Sequence, residues 1–297
     1  MYPAEFEYFA PTTVDEALEL LARHGDEAKI LAGGQSLLPM MKLRIASPRC
    51  LIDVNRIESL AGLRQDGDRL VMGALCRHAE IAASALVRER LPIMADAASL
   101  TADVQVRNRG TVGGSLAHAD PAGDWPAALL ALDTHVSTAG PRGARTIALR
   151  DFLLDAYTTA LGADEMLTGV SVVLPAATAG GAYVKFEKRA GDFAVASVGV
   201  QLDVDAAGTC VAVAVSLGAL GPTPIRAQAA EAILEHQSPA PERIHEAERL
   251  VREAAEPFDD TRGSIEYKRH LAGVLFRRAF AAAFDRAQGR EVGTLHP

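Results

Sequence analysis

The sequence has 297 residues, of which 49% are hydrophobic and 23% are charged, and this is long enough for a full core and two or three subdomains. The formal net charge of −8 argues against nucleic acid as the main partner. No stretch of about 18 apolar residues predicts a membrane span, and the first residues lack the pattern of a secretion signal, so we expect a cytoplasmic protein.

The start of the chain is predicted to form a small βαβ unit. Residues 5–10 have the aromatic pattern of a strand, and Thr13 with Glu16 has the form of a capping box that begins a helix. Residues 28–32 form the second strand, which leads into the first glycine turn, residues 32–36, with the sequence Ala-Gly-Gly-Gln-Ser. In βαβ units a phosphate group commonly binds at such a turn.

The middle of the chain is predicted to alternate short strands and helices. In chain order the predictions are a helix over residues 37–44, strands over 50–54 and 69–73, helices over 79–85, 91–99 and 126–132, a strand over 135–138, a loop over 140–144 and a strand over 165–174. The connector at residues 55–65 is the predicted boundary between two subdomains.

A second glycine-rich stretch lies between these elements. The second glycine segment, residues 111–115, has the sequence Thr-Val-Gly-Gly-Ser and is predicted to be a ligand-holding loop after an apolar strand. Consecutive backbone N–H groups in such a turn form a concave site for an anion, most often phosphate. Asp120 and Asp124 follow it, and their carboxylates are suited to accepting hydrogen bonds from sugar hydroxyls.

The two glycine-rich stretches have an ordinary interpretation as well. A single Gly-Gly pair usually marks only a tight turn. Two of them, each followed by an ordered set of polar residues, favour a phosphate-bearing cofactor, although residue types alone leave both interpretations open. The chain contains neither G-x-G-x-x-G nor G-x-x-x-x-G-K-[ST], so a tightly held NAD(P) is disfavoured.

The three cysteines limit the metal chemistry of this chain. Cys50, Cys76 and Cys210 lie far apart in the sequence and form no Cys-x-x-Cys pair. They cannot supply the four thiolates of an iron–sulfur cluster or the closed ligand set of a structural zinc site. We therefore predict reduced thiols and no metal ligands here, so any iron–sulfur cluster would belong to another chain.

The C-terminal part is predicted to be a separate domain. Residues 175–181 break the pattern, so we place the main boundary there, between residues 1–176 and 177–297. The predicted elements after it are strands over residues 182–188, 195–204 and 210–217 and helices over residues 226–235, 241–255 and 265–286. The last helix carries an aromatic repeat at Phe276, Phe280 and Phe284, which is typical of a core or subunit contact rather than a cofactor site.

These motifs together resemble the FAD-binding medium subunit of molybdenum hydroxylases, the group of carbon monoxide, xanthine and nicotine dehydrogenases. The likeness rests on Ala32-Gly33-Gly34-Gln35-Ser36-Leu37, Thr111-Val112-Gly113-Gly114-Ser115, His118-Ala119-Asp120-Pro121 and Asp124, and it covers nearly the whole chain. It implies an α+β fold: a two-subdomain FAD-binding domain of the PCMH type, divided at about residue 58, followed by a C-terminal domain with a three-stranded antiparallel sheet and a helical bundle. Ser115 departs from the family pattern, which usually has Asn, so we expect a slightly altered flavin contact there.

The resemblance implies that FAD is held non-covalently, with backbone N–H groups of both glycine-rich stretches and the hydroxyls of Ser36 and Thr111 on its pyrophosphate. The residues implied to contact FAD are Lys29, Ile30, Leu31, Ala32, Gly33, Gly34, Gln35, Ser36, Ala102, Thr111, Val112, Gly113, Gly114, Ser115, Asp120, Asp124, Leu167, Lys185 and Phe193. For two of these residues the sequence pattern fits an ordinary role equally well: Lys29 as a solvated lysine and Leu167 as a buried strand leucine. No residue is predicted to be catalytic, and His118 is expected to be a hydrogen-bonded structural residue rather than an acid–base catalyst or a site of flavin attachment.

Three of the implied contacts have specific alternatives that the sequence leaves open. Asp124 is suited to ribose or ribitol hydroxyls, and equally to capping the helix that starts near Pro126. Lys185 corresponds to a lysine near the flavin pyrimidine, or it pairs with Glu187 on the same face of a strand. Phe193 corresponds to an aromatic residue over the isoalloxazine, where carbon monoxide dehydrogenases carry Tyr, or it is a core anchor.

The function implied by the resemblance is electron transfer. The subunit would receive single electrons from 2Fe–2S clusters on a small partner and pass them to an external acceptor. A large partner would hold the molybdenum cofactor and the substrate (carbon monoxide, an N-heterocycle or an aldehyde), in an expected heterohexamer. Two alternatives stay open: a self-sufficient FAD-dependent reductase or oxidase of the same fold, and a non-enzymatic nucleotide-binding subunit.

Overall fold

The computed structural model describes residues 2–293 and residue 295, and its N-terminal part is built on a small parallel sheet. The elements are β1 (Glu7–Phe9), α1 (Val14–His24), β2 (Ala28–Leu31), α2 (Leu37–Lys42) and β3 (Cys50–Asp53), and the strand order is β1-β3-β2. Both outer strands pair with β3 in the parallel sense, so the carboxyl ends of β2 and β3 lie at one edge. The first glycine turn leaves the sheet at this edge.

The predicted capping of α1 is confirmed, with one shift. The Thr13 hydroxyl accepts a hydrogen bond from the Glu16 backbone N–H at 3.2 Å, and the Glu16 carboxylate reaches back to the N–H of Thr12 at 2.8 Å. The helix ends at Gly25, which has a φ of 52°. Its buried face, with Ala17 and Leu21, packs against the parallel sheet. This packing orients β2 and the first glycine turn that follows it.

The middle of the chain forms a second unit around an antiparallel sheet of five strands in the order β4-β5-β10-β6-β7. Its strands are β4 (Leu63–Asp66), β5 (Arg69–Gly73), β6 (Thr134–Gly140), β7 (Gly143–Ala148) and β10 (Met166–Val173), and β8 (Leu153–Asp155) pairs separately with β9 (Thr158–Thr159). The helices are α3 (His78–Ala83), α4 (Ala85–Arg90), α5 (Pro92–Leu100), α6 (Val104–Arg107), α7 (Val112–His118), α8 (Asp124–Leu130) and α9 (Leu149–Phe152).

The loop predicted at residues 140–144 is wrong over most of its length. Gly140 still belongs to β6 and Gly143 opens β7, so the loop is a hairpin turn at Pro141 and Arg142. The strand β7 lies at the edge of the sheet, and its first four residues are exposed. An exposed edge strand lacks the alternation of buried and polar residues that identifies strands from sequence.

The C-terminal elements match the predicted ones closely. They are β11 (Ala179–Phe186), β12 (Ala196–Val204), β13 (Cys210–Gly218), β14 (Ile225–Arg226), α10 (Gln228–Leu234), α11 (Pro241–Ala254) and α12 (Ile265–Ala287). The strands form an antiparallel sheet in the order β11-β12-β13-β14, in which the two-residue β14 extends the three predicted strands. The aromatic repeat of α12 lies in the core, where Phe276 and Phe280 are buried. The predicted boundary at residues 175–181 stays a prediction.

The helices α5 and α8 pack directly on the C-terminal sheet. The Ser216 hydroxyl donates to the carbonyl of Ala127 in α8 at 2.7 Å, and a Cβ at Gly218 would lie 2.7 Å from the Ala127 Cβ. Arg286 of α12 makes a bidentate contact with Asp96 of α5 at 2.6 and 3.0 Å. These contacts bring the end of β11 beside the end of α5. Within residues 2–293 and 295, no helix combines the length and apolarity needed to cross a membrane.

Candidate functional site

The first glycine turn presents a row of free backbone donors. The N–H groups of Gly33, Gly34, Gln35 and Ser36 donate to no acceptor among the described residues. Gly34 has a φ of 75°, a conformation that favours glycine. Four consecutive unused N–H groups in a half-buried turn form the kind of concave site that holds an anion. The donor set therefore fits a pyrophosphate.

The second glycine segment is the first turn of helix α7, so the predicted loop conformation is wrong, while its ligand-holding role stays a prediction. The helix α6, and not an apolar strand, precedes it. The Thr111 hydroxyl accepts the N–H of Gly114 at 3.1 Å, and the N–H of Ser115 donates to the Thr111 carbonyl at 3.0 Å.

The remaining N–H groups of this segment are also used within the chain. Those of Val112 and Gly113 donate to the carbonyls of Cys76 and Ala74 at 3.0 and 3.1 Å. The prediction of free N–H donors is therefore wrong for residues 112–115, because helix capping and pairing with residues 74–76 satisfy all of them. Within this segment it is the bare Cα of Gly114 that faces the first turn, at Ala32.

The fold brings the two glycine-rich stretches into contact. An ideal Cβ on Gly33 would lie 2.5 Å from the Arg109 carbonyl oxygen and 2.8 Å from the Gly110 Cα, so any side chain there would push the two apart. An ideal Cβ on Gly114 would lie 3.9 Å from the Ala32 Cβ. Glycine is thus used at Gly33 for close backbone approach, and at Gly114 it leaves room for the Thr111 hydroxyl, which would lie 2.7 Å from an ideal Cβ.

Two side chains that the sequence did not single out connect these stretches. The Asn55 amide donates to the carbonyl of Ala32 at 2.8 Å, and Arg77 donates to the Asn55 side-chain oxygen at 2.5 Å. A second guanidinium nitrogen of Arg77 donates to the carbonyl of Arg109. Neither residue belongs to a recognisable motif, since both act through partners that are distant in sequence.

A buried histidine packs against Gly110, just before the second glycine segment. His78 is 5% exposed, its Nδ1 accepts a hydrogen bond from the indole N–H of Trp125 at 2.8 Å, and its ring lies against Gly110. Burial, reinforced by the nearby cations Arg77 and Arg107, lowers the pKa of His78 from 6.5 to about 4. The ring is therefore neutral at neutral pH.

This neutral histidine predicts a specific acid sensitivity. Between pH 6.5 and pH 4 the unfolded chain binds a proton at His78 that the folded chain does not, so the free energy of unfolding should fall as the pH is lowered through this window. A shift of this size is worth about 3 kcal/mol. Denaturant unfolding at stepped pH, compared with a His78→Gln variant, checks it: the variant should lose less stability over the window. Equal slopes would contradict a neutral His78.

A buried ionic cluster lies where the second unit meets the C-terminal sheet. The ammonium group of Lys185, 1% exposed, lies 2.9 Å from the Glu187 carboxylate and 3.3 Å from both carboxylate oxygens of Asp124. The Tyr183 hydroxyl donates to Asp124 at 2.9 Å. Burial raises the pKa of Asp124, and the Lys185 charge opposes this rise. The ion pair with Glu187, one of the two interpretations of Lys185, is therefore formed in the structure.

The helix-capping interpretation of Asp124 is wrong. The helix α8 begins at Asp124 itself after Gly123 as N-cap, and no side-chain capping bond is made there. Instead the Asp124 carboxylate, 7% exposed, is taken up by Tyr183 and Lys185.

The ionic cluster also holds the loop that carries Phe193. Lys185 donates to the carbonyls of Leu100 at 2.7 Å and Asp192 at 3.1 Å, and Glu187 accepts the N–H of Gly191 at 3.0 Å. Phe193 is half exposed, with the Arg262 guanidinium 5.8 Å from its ring centre. Phe193 is therefore not a core anchor, and its ring is exposed at the protein surface.

Ala102 lies between this loop and the glycine-rich stretches. It has a φ of 46°, and an ideal Cβ on Gly191 would lie 3.3 Å from its carbonyl carbon. Arg107 of α6 donates to the carbonyl of Ala102 at 2.6 Å, and α6 leads directly to Arg109. A continuous path of contacts thus connects the first glycine turn to the loop that carries Phe193.

The other predicted residues fall into exposed, half-buried and core positions. Lys29 is exposed on β2, and Ile30 and Leu31 beside it are half-buried. Leu167 is 7% exposed and belongs to the main core. The Asp120 carboxylate accepts the N–H of Ala122 at 2.9 Å within its own turn. His118 packs against Tyr157, with ring centres 5.2 Å apart.

Comparison with known families covers most of the chain. Residues 4–177 match the family described as FAD binding domain in molybdopterin dehydrogenase, and residues 181–283 match the family described as CO dehydrogenase flavoprotein C-terminal domain. The first match spans more than half of the sequence.

Individual relatives match along their full length. The carbon monoxide dehydrogenase medium chain of Hydrogenophaga pseudoflava is 40% identical over 286 residues, which is 96% of this chain and 99% of the relative. Subunit alpha of the 6-hydroxypseudooxynicotine dehydrogenase complex of Paenarthrobacter nicotinovorans is 36% identical over 288 residues, 97% of each chain. A solved structure of the Hydrogenophaga pseudoflava carbon monoxide dehydrogenase, which lacks the Mo-pyranopterin moiety of the molybdenum cofactor, has a TM-score of 0.94 at 43% identity and covers 96% of this chain and 99% of that chain. The predicted α+β fold is confirmed.

Proposed function

Because the chain belongs to the FAD-binding subunit family of the molybdenum hydroxylases, we propose that it carries electrons between a redox partner and an external acceptor. Its cofactor is FAD, and its relatives are oxidoreductase subunits. The observation that carries the proposal is the row of four unused N–H groups at residues 33–36, held against the second glycine segment.

The residues of the chain would divide the binding of FAD between two ends of the site. Residues 33–36 would hold the pyrophosphate through their backbone N–H groups, with the hydroxyls of Ser36 and Ser115 beside it. Phe193 would cover the isoalloxazine, because its half-exposed ring stands on a loop that Lys185 and Glu187 fix from below. These residues would position FAD, and the redox chemistry would belong to the cofactor itself.

The proposed partners follow from two observations. The three scattered cysteines of this sequence cannot supply the four thiolates of an iron–sulfur cluster, and its relatives are subunits of dehydrogenases. Bound FAD accepts electrons one or two at a time, so it can pair single electrons delivered by a 2Fe–2S protein. We assign those clusters to a small partner and the molybdenum cofactor, with the substrate, to a large partner, in a heterohexamer. Two relatives of similar identity are named for carbon monoxide and for 6-hydroxypseudooxynicotine, which supports placing substrate choice on the partner.

The visible absorption spectrum of the purified full chain, with and without added FAD, tests this proposal. We expect a flavin band and recovery of FAD in the supernatant after mild denaturation, since no covalent bond is proposed. Reduction of that flavin by NADPH or by a substrate without any partner would favour the self-sufficient reductase or oxidase. Binding of ADP without any flavin band would favour the nucleotide-binding subunit and would contradict the proposal.

A further inference from the structure

Asn55 and Arg77 form a hydrogen-bonded link between two backbone carbonyl groups that are distant in sequence. One end donates to the carbonyl of Ala32 in the first glycine turn, at 2.8 Å, and the other end donates to the carbonyl of Arg109, just before the second glycine segment. Between them, Arg77 donates to the Asn55 side-chain oxygen at 2.5 Å. A single chain of side-chain hydrogen bonds therefore spans the two stretches that meet at Gly33.

Both members of the link are themselves held in place. Asp53 accepts the backbone N–H of Asn55 at 2.9 Å and its side-chain amide at 2.6 Å, and Tyr8 donates to the same carboxylate at 2.6 Å. The backbone of Arg77 is bonded to Glu80 and pairs with Thr111 as an isolated antiparallel bridge. Asn55 is thus fixed to the parallel sheet, and Arg77 is fixed to the second unit.

The link lies beside Gly33, where the two glycine-rich stretches touch through backbone atoms. Gly33 has no side chain and rests on the backbone of Arg109 and Gly110, so contact between the two stretches supplies no interlocking side chains at that point. The anion site uses N–H groups of residues 33–36, and helix α7 lies beside them, since an ideal Cβ on Gly114 would be 3.9 Å from the Ala32 Cβ. Hydrogen-bond donors hold a ligand well only when their separation is fixed in advance.

We propose that Asn55 and Arg77 are positioning residues that set the separation of the two glycine-rich stretches for the FAD pyrophosphate. This inference rests on the proposed function. Neither residue needs to touch the cofactor: Asn55 orients the first turn, and Arg77 ties it to the segment that carries Gly114. The planar fork of arginine suits this role, because it donates to a side-chain oxygen and a carbonyl at the same time.

The test is the dissociation constant for FAD, measured by quenching of flavin fluorescence on the flavin-free full chain. The variants are Arg77→Lys, Asn55→Ala and the double substitution. Each single substitution should raise the dissociation constant about tenfold or more. The double variant should be within about threefold of the weaker single variant, because either substitution already removes the link.

Arg145→Lys is the matched control. Arg145 also donates to a side chain and a carbonyl, those of Glu165 and Ala160, and its described partners lie outside both glycine-rich stretches. Its replacement should lower the free energy of unfolding and leave the FAD affinity unchanged.

Four outcomes overturn the inference. They are an unchanged affinity in a folded Arg77→Lys chain, fully additive losses in the double variant, an equal loss of affinity in Arg145→Lys, and an unsubstituted chain that binds no FAD. Only the last one also removes the proposed function.

Discussion

A Gly114→Val chain is expected to lose FAD. An ideal Cβ at this position would lie 2.7 Å from the Thr111 hydroxyl oxygen and 3.9 Å from the Ala32 Cβ, so the two valine methyl groups would extend into the gap between α7 and the first glycine turn. They would displace the hydroxyl that caps α7 and block the approach of the pyrophosphate. The affinity for FAD should fall by about a hundredfold or more. Absorbance of the purified variant in the flavin band, before and after adding FAD, measures the loss.

Ala117→Val is the control for this substitution. Ala117 is exposed in the same helix, so this substitution places a valine in α7 without entering the gap. Its helix-propensity cost is larger than that of Gly114→Val, because alanine is a better helix former than glycine, so a loss of FAD confined to Gly114→Val cannot come from helix propensity. Gly33 and Gly113 are poorer test positions, since an ideal Cβ on either would collide with backbone atoms at 2.5 and 2.7 Å and disturb the fold itself. A Gly114→Val chain that stays fully yellow would remove the second glycine segment from the binding site.

Replacing Lys185 by Met is expected to lower the free energy of unfolding by about 3–5 kcal/mol, because it leaves the buried Asp124 and the partly buried Glu187 without their cation. Asp124 and Glu187 would face each other across the vacated space, and the carbonyls of Leu100 and Asp192 would lose their donor. Denaturant unfolding of the flavin-free chain measures this effect. In the FAD-loaded protein the flavin reduction potential should also fall, since one positive charge near the proposed isoalloxazine position is removed.

Lys188→Met is the control that distinguishes the loss of the buried ionic cluster from the loss of a positive charge elsewhere. Lys188 lies two residues after β11 and donates to the carbonyl of Thr261 from an exposed position. Its replacement should change the free energy of unfolding by less than about 1 kcal/mol. Equal destabilisation by both substitutions would contradict the ionic cluster as described. An unchanged potential in Lys185→Met would restrict Lys185 to a structural role.

Much of the fold could be predicted because the signals are local. The Thr13 cap and the strands β12 and β13 each depend on residues a few positions apart. The place of the first glycine turn, between β2 and α2, belongs to this class, because it is set by a short run of neighbouring residues. A pattern within one turn of helix or one strand pair is visible without knowing the tertiary structure.

The parts that could not be predicted depend on contacts between distant residues. The second glycine segment looked like a loop, yet its N–H groups are taken by Thr111 and by residues 74–76, which a sequence pattern does not show. The ion pairs of Lys185 became visible only when β11, α5 and α8 were placed together, and its role near the flavin stays a prediction. Asn55 and Arg77 gave no signal, because the hydrogen bonds that form the link join residues 22 or more positions apart.

The sequence by itself determined the two glycine-rich stretches, the order of the main elements and the resemblance that points to FAD, since these depend on residue type and local spacing. The tertiary structure decided how the stretches meet, which donors stay free and how Phe193 is held. The physical reason is that a backbone N–H or a buried charge is committed only when its partner is in place, and those partners come from other parts of the chain.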